Sequence, residues 1–327
     1  MMRLAPLVGL IGFLSASGSA LAADPTPPPS PAPAVAGVTV TAPALKRVPD
    51  LVEHFGRPYS GDRLSRWRAP VCPYVTGFAP EQNSFIAARI IQISQAAKQI
   101  APEKACEANI IVIASTNDLT LRRQIGQHPQ TLLSPDSRWP VDKLQLWAFI
   151  KDDGLPAHIF YESSIVTAFV GGAPLDEGNV SGSLADTSGA LNAFAAPEID
   201  HAVASRLTPN ADDAFRRVFV VLDGRQLEGL TGGQIAAYLS MITLAEVRVD
   251  APPGDVDSIV NLFADRKAGR TPPEDLTFWD RAYLGALYNA PTQIDISMQR
   301  SVMESRIEHA IEVLKLPQPP ADAHSAP

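Results

Sequence analysis

The sequence predicts an α+β fold: a small mixed sheet packed with helices, and a mainly helical C-terminal half. Three observations carry this. Ile86, Ile90, Ile93, Ala97 and Ile100 recur at helical spacing. Two short apolar, β-branched runs, Asn109 to Ala114 and Val218 to Leu222, read as buried strands. From Thr231 onward, helix-start signals are followed by apolar stripes of helical period. Hydrophobic residues make up 46% of the chain, an ordinary share for a protein with a folded core.

In chain order, Arg3 precedes an apolar run from Leu4 to Leu14, and Ala20-Leu21-Ala22-Ala23 stands just before Asp24. A basic head, a short apolar core and an A-x-A site have the layout of a secretory signal peptide over residues 1–23. The apolar run is short for a bilayer span, and no Cys follows the cleavage site. The expectation is a soluble protein, periplasmic or secreted, with no integral membrane segment once the leader is removed. Residues 24–46, rich in Pro, Ala, Ser and Thr, read as a disordered linker, within which Val38 to Val40 has the composition of a short edge strand. Residues 317–327 have the same character and read as a disordered tail. Between them no Pro/Ser/Gly-dense stretch interrupts residues 47–316, so a single globular domain is expected.

Val48 to Phe55 reads as a short amphipathic helix, and structure is expected to continue through Leu64 to Phe78. Pro80 and Glu81 suit the first turn of the helix that carries the isoleucine stripe. Leu144 to Ile150 is almost wholly apolar, and Lys151-Asp152-Asp153-Gly154 precedes a second run, His158 to Tyr161; the pair reads as an antiparallel hairpin. Gly171 to Gly189 is rich in Gly, Ser, Asp and Asn and reads as a long surface loop, a candidate lid. Its string Gly178-Asn179-Val180-Ser181-Gly182 has the wrong spacing for a nucleophile elbow or a phosphate cradle.

Thr231 and Gln234 form a T-x-x-Q capping box, with Leu230 and Ile235 placed as its hydrophobic staple, opening a helix expected to reach about Val247. After a Pro/Gly/Asp loop comes the apolar segment Ser258-Ile259-Val260-Asn261-Leu262-Phe263. Thr277 and Asp280 mark another helix start, with Leu284, Leu287 and Tyr288 as its core face and Pro291 as its stop. A last helix, roughly Ser297 to Lys315, is expected to bury Met303, Ile307, Ala310, Ile311 and Leu314.

The formal charge is −8, and loss of Arg3 with the leader makes it one unit more negative. An acidic chain without a polybasic run is poorly suited to nucleic acid or anionic lipid. Cys72 and Cys106 are the only two cysteines, and in an oxidising compartment an even pair most simply forms one disulfide. Neither has a His nearby in sequence, as a nucleophilic Cys would want.

The histidines, His54, His128, His158, His201, His309 and His324, show no pair at ligand spacing. Trp67 between Arg66 and Arg68 has the composition of a stacking site, but a tryptophan at the edge of a core with solvated arginines is the commoner arrangement, and the segment reads as structural. Asp200-His201 reads as a surface pair, since adjacent side chains seldom face each other. Asp152-Asp153 and Asp212-Asp213 read as turn or solvated residues, and Asp255 and Asp257 lack the donor spacing of an EF-hand loop.

The order of elements, with the capped central helix, Ser258-Ile259-Val260 and Leu276-Thr277 through Asp280 to Ala286-Leu287-Tyr288, resembles the matrixin-like zincins. It looks most like a branch of exported bacterial proteins, themselves uncharacterised, predicted to share that fold. The resemblance covers Arg217 to Ala290, about a quarter of the chain. It implies a central helix bearing H-E-x-x-H-x-x-G-x-x-H, followed by a serine-isoleucine-methionine turn and an L-T-x-x-D…A-L-Y helix. Set in that register, the signature falls on Gln234, Ile235, Tyr238, Met241 and Leu244, and Val260 takes the methionine position. No ligand, general base or glycine of the signature remains. An unrelated α+β domain with a capped amphipathic helix is the alternative.

These readings lead to an exported protein with no catalytic, metal or cofactor-binding residue to name and a disulfide between Cys72 and Cys106. Its expected role is non-catalytic binding or structural, on a degenerate zincin-like scaffold, with an unknown envelope protein or small ligand as partner. The alternative is a periplasmic hydrolase whose site is assembled from distant residues under the loop from Gly171 to Gly189.

Overall fold

A strand of 13 residues, Ala211–Asp223, organises the fold because its alternating side chains feed two separate cores. The computed structural model describes residues 45–58, 64–97, 106–135, 140–167, 211–251, 256–291 and 294–313. Its helices and strands are α1 (Val48–Phe55), β1 (Arg66–Trp67), β2 (Pro73–Thr76), α2 (Pro80–Ala96), β3 (Ile110–Ser115), α3 (Asp118–Ile125), α4 (Pro129–Leu132), α5 (Lys143–Ile150), β4 (Ala157–Thr167), β5 (Ala211–Asp223), α6 (Gly232–Leu244), α7 (Leu262–Lys267), α8 (Phe278–Asn289) and α9 (Ile296–Val313).

The sheet has five strands. β3 lies between β2 and β5, parallel to both, with Val112 opposite Val75 on one side and Val220 on the other. β1 also runs parallel to β5, and β4 closes the other side of β5 as an antiparallel strand. Val218, Val220 and Leu222 of β5 join Ile110 and Val112 of β3 in the larger core, with the apolar faces of α1, α2, α6, α8 and α9. Phe219 and Val221 enter a smaller core with Phe149, Phe160, Ile125 and Leu133, against α3 and α5. The mixed sheet is thus covered on both faces, and the helices are concentrated toward the C-terminal half.

Local signals explain most elements. Both capping boxes form: Thr231 Oγ1 accepts from Gln234 N at 3.1 Å while Gln234 Oε1 accepts from Thr231 N at 3.1 Å, and Thr277 and Asp280 do the same for α8. Gly77 ends β2 with φ +96°, and a Cβ there would lie 2.1 Å from the Ala114 carbonyl oxygen, so only glycine lets β2 and β3 come so close. Cys72 and Cys106 are bonded, with Cα atoms 6.1 Å apart, and tie the approaches to β2 and β3. Asn109 adds a polar stitch there, accepting from Cys72 N at 2.7 Å and donating to Pro70 O at 2.9 Å.

Three expectations are corrected. Leu144 to Ile150 is not a hairpin strand but most of α5, because the Asp142 carboxylate caps the amides of Leu144 and Gln145 at 2.7 and 3.0 Å. Asp212 and Asp213 stand within β5, where they pair with β4, rather than in a turn. Arg66 is not solvated: it is 2% exposed and donates to the carbonyls of Leu287 and Ala290 at 2.7 and 2.8 Å, closing the end of α8. The helix from Thr231 ends at Leu244, and the segment after Ser258 is a 3₁₀ turn, Ile259–Asn261, leading into α7. The leader, residues 24–44 of the linker with Val38 to Val40, the loop over residues 171–189, Asp200, His201, Asp255, His324 and the tail lie outside the described residues.

Candidate functional site

Where β5 ends, the chain turns through Asp223 into a 3₁₀ segment, Gly224–Leu227, in which the Arg225 amide donates to the Asp223 carboxylate at 3.0 Å. That turn, the loop entering β4, the chain leaving α6, and α7 enclose a cleft of about 660 Å³. Tyr238, Val260 and Phe263 contribute its aromatic and aliphatic wall, joined by Leu155, Pro156 and Val249. Tyr238 and Phe263 meet edge to face, with ring centroids 5.0 Å apart. The rim carries Arg225, Arg266 and Lys267 against Asp153, Glu228 and Asp250, so the two signs balance.

Several of these rim groups are engaged within the protein. Arg266 donates to the carbonyls of Gln226 and Glu228 at 3.0 and 2.6 Å, which fastens α7 to the turn after β5. Arg225 pairs with Asp223 at 2.8 Å and reaches Asp118 at 3.3 Å. Burial pulls the Asp223 carboxyl upward, but hydrogen bonds from Arg225 and Gln226 outweigh it and hold the group below the ordinary carboxylate range. The Arg248 guanidinium likewise holds Asp250 low through two hydrogen bonds of 2.6 and 2.9 Å. Asp153 is 2.9 Å from His158 Nε2 and 3.8 Å from Lys151 Nζ. His158 is buried, and desolvation, reinforced by the Arg122 guanidinium, lowers its pKa against the pull of Asp153. None of the described residues lining the cleft is a Ser, Thr, Cys or His.

Behind the cleft, Asp280 joins two sequence motifs into one unit. Its carboxylate is wholly buried and accepts from Ser258 Oγ at 2.5 Å, Ile259 N at 2.9 Å and Thr277 N at 2.8 Å. Burial pushes this carboxyl above its ordinary range, and the surrounding donors oppose the shift. The serine turn that presents Val260 to the cleft is therefore set by the first turn of α8.

Of the positions in the zincin register, Tyr238 and Val260 reach the cleft. Gln234 is 5% exposed, with its Oε1 in the capping box and its Nε2 donating to Pro273 O at 3.2 Å. Ile235, Met241 and Leu244 belong to the larger core. Trp67 is also core: its Nε1 donates to Thr243 O at 2.8 Å and its ring packs 5.6 Å from Phe215. His54, His128 and His309 are spread over α1, the start of α4 and α9, and none pairs with another histidine. Among the described residues no group of three or more His, Cys, Asp or Glu is placed to hold a metal ion. No described helix is long and apolar enough to cross a membrane.

Sequence reading missed the charged cluster at the ends of β3 and β5. Arg122, 2% exposed, bonds Asp118 at 2.9 Å and donates to the carbonyls of Phe149 and Lys151 at 2.7 and 2.8 Å. The i,i+4 spacing of Asp118 and Arg122 was a legible signal; their meeting with Asp223 and Arg225 was not. In comparisons with known proteins, no family model, no curated protein and no solved structure matches this chain.

Proposed function

We propose that this is an exported protein, periplasmic or secreted, that acts by binding rather than catalysis, on a zincin-like scaffold from which the metal-binding signature has been lost. The observation that carries the reading is the cleft of about 660 Å³, which both Tyr238 and Val260 line. In the zincin register these are a histidine and the methionine of the turn, so the place of the metal is held by a phenol and an isopropyl group. Two further features support the scaffold: the capped α6 as the first α-helix after β5, and the bonding of Ser258 to Asp280. The wall lacks an alcohol, thiol or imidazole nucleophile among its described residues, and its rim charges cancel. Such a lining suits an uncharged or zwitterionic ligand with an apolar or aromatic portion, either a small molecule or a side chain of an envelope protein.

The test uses an uncharged fluorescent probe, N-phenyl-1-naphthylamine, with the purified full chain. Fluorescence enhancement that is abolished in Ala264→Trp, which plugs the cleft, supports the reading. Tight retention of one zinc equivalent together with peptide hydrolysis overturns it.

A further inference from the structure

A second, smaller cavity shares no lining residue with the cleft, and its chemistry differs. It occupies about 250 Å³ between α2 and α8 and is lined by Ile93, Ala97, Leu276, Leu284, Gly285 and the arginines Arg89 and Arg281, among others. Its floor is apolar and almost closed to solvent, with Ile93 at 7%, Ala97 at 6%, Leu276 at 3% and Leu284 at 2% exposure. On α2, Arg89, Ile93 and Ala97 are spaced four residues apart; on α8, Arg281 and Gly285 are spaced in the same way. The slot therefore runs from guanidinium groups at one end to small residues at the other.

Gly285 sits inside α8, where glycine is the poorest helix former after proline. No atom lies within 4 Å of where its Cβ would be, and its φ is not positive, so neither crowding nor backbone conformation requires glycine. Its effect is to leave the slot open. At the charged end, Arg89 and Arg281 share one carboxylate, Asp275. Arg89 bonds it closely, whereas Arg281 stands 3.9 Å away with its side chain 59% exposed. Two cations against one anion leave the entrance positive, with the Arg281 guanidinium beyond hydrogen-bond distance of Asp275.

We propose that this slot between α2 and α8 binds a small amphiphilic monocarboxylate, its carboxylate held by Arg281 and Arg89 and its alkyl or aryl tail lying over Ile93, Ala97 and Leu284 against Gly285. At ~30 Å³ per water the cavity matches about eight waters, which limits the tail to roughly six to eight carbons. The tail gains from burial and the head from charge-assisted hydrogen bonds, and neither half alone fits both ends.

Octanoate titrated calorimetrically into the full chain is the probe, with acetate, which lacks the tail, and octylammonium, which reverses the charge, as controls. Octanoate is expected to bind, with both controls at least about tenfold weaker. Arg281→Ala is expected to weaken octanoate by about tenfold and Gly285→Leu to abolish binding. Circular dichroism verifies that each variant is folded, and Gly285→Ala, which improves helix propensity, gives a milder reduction if Gly285→Leu does not fold. Equal binding of octylammonium or acetate, or undiminished octanoate binding by Arg281→Ala or by a folded Gly285 variant, overturns the assignment. So does the absence of octanoate binding. Ala264→Trp in the other cleft is expected to leave octanoate binding unchanged, which separates this proposal from the reading of the cleft; loss of octanoate binding in that variant places the acid in the cleft and refutes the slot.

Discussion

Replacing Asp280 by alanine tests whether one buried carboxylate holds the turn of Ser258 against α8. The side chain is fully buried and accepts from two backbone amides, Ile259 N and Thr277 N, and from the Ser258 hydroxyl. Each buried amide stripped of its acceptor costs about 1–3 kcal/mol, while the Thr277 side-chain cap on the amide of residue 280 is kept. Relief from burying a carboxyl offsets part of this, since burial already disfavours its charged form. The expected net loss is about 3 kcal/mol. With a urea dependence of about 2–3 kcal/mol/M, the midpoint falls by about 1 M. Ser258→Ala removes the donor to Asp280 and strips Val260 N of the acceptor it has in Ser258 Oγ at 3.1 Å, while Ile259 N and Thr277 N stay satisfied, so it is expected to cost about 2 kcal/mol. The double variant is expected to cost less than the sum of the two single changes, because the bond between Ser258 and Asp280 can be lost only once. Urea unfolding followed by tryptophan fluorescence measures all three. A loss below about 1 kcal/mol in Asp280→Ala, or strict additivity in the double variant, refutes the coupling.

Two further predictions follow from groups outside that network. Burial, aided by the Arg122 guanidinium, holds His158 below its ordinary pKa of 6.5, so between the native and unfolded values the unfolded chain binds more protons. Its contribution to stability is complete above about pH 6.5 and falls as the pH drops through that window. His158→Gln is expected to flatten the stability profile between pH 5 and 7, measured by thermal unfolding, and a profile identical to the parent's contradicts the lowered pKa. Replacing Cys72 and Cys106 by serine opens a loop spanning 34 residues of sequence separation and is expected to cost about 3.5–4 kcal/mol. Chemical denaturation of the double variant checks it, and a loss under about 1 kcal/mol argues against constraint of the unfolded chain.

Elements with their own end signals were legible in the sequence. Thr231 with Gln234 and Thr277 with Asp280 open α6 and α8 through bonds made within four residues, so local sequence suffices to place them. The runs ending in Ala114 and Leu222 were legible as strands because a central parallel strand is apolar on both faces, and Ile110 and Ile111 do enter different cores. The segment from Leu144 to Ile150 was misread for a definite reason. A short run that is apolar throughout has no period, and the deciding contact, the Asp142 side chain on the amides of Leu144 and Gln145, competes with the turn signal at Gly154.

The candidate site was far less legible. That Tyr238 and Val260 both border one cleft depends on α7 folding back onto the turn after β5, a contact made by Arg266 across 38 to 40 residues. Arg66 looked solvated because an arginine beside a tryptophan at the edge of a core usually reaches water; its partners are carbonyls 221 and 224 residues away. By itself the sequence determined that α6 and α8 are capped, that the runs ending in Ala114 and Leu222 are buried strands and that Cys72 pairs with Cys106, since these rest on short-range hydrogen bonds, apolar run composition and the count of thiols. Tertiary structure alone decided what lines the cleft, what Asp280 holds and where Gly285 leaves a space, because each is set by groups that only packing brings within a few ångströms of one another.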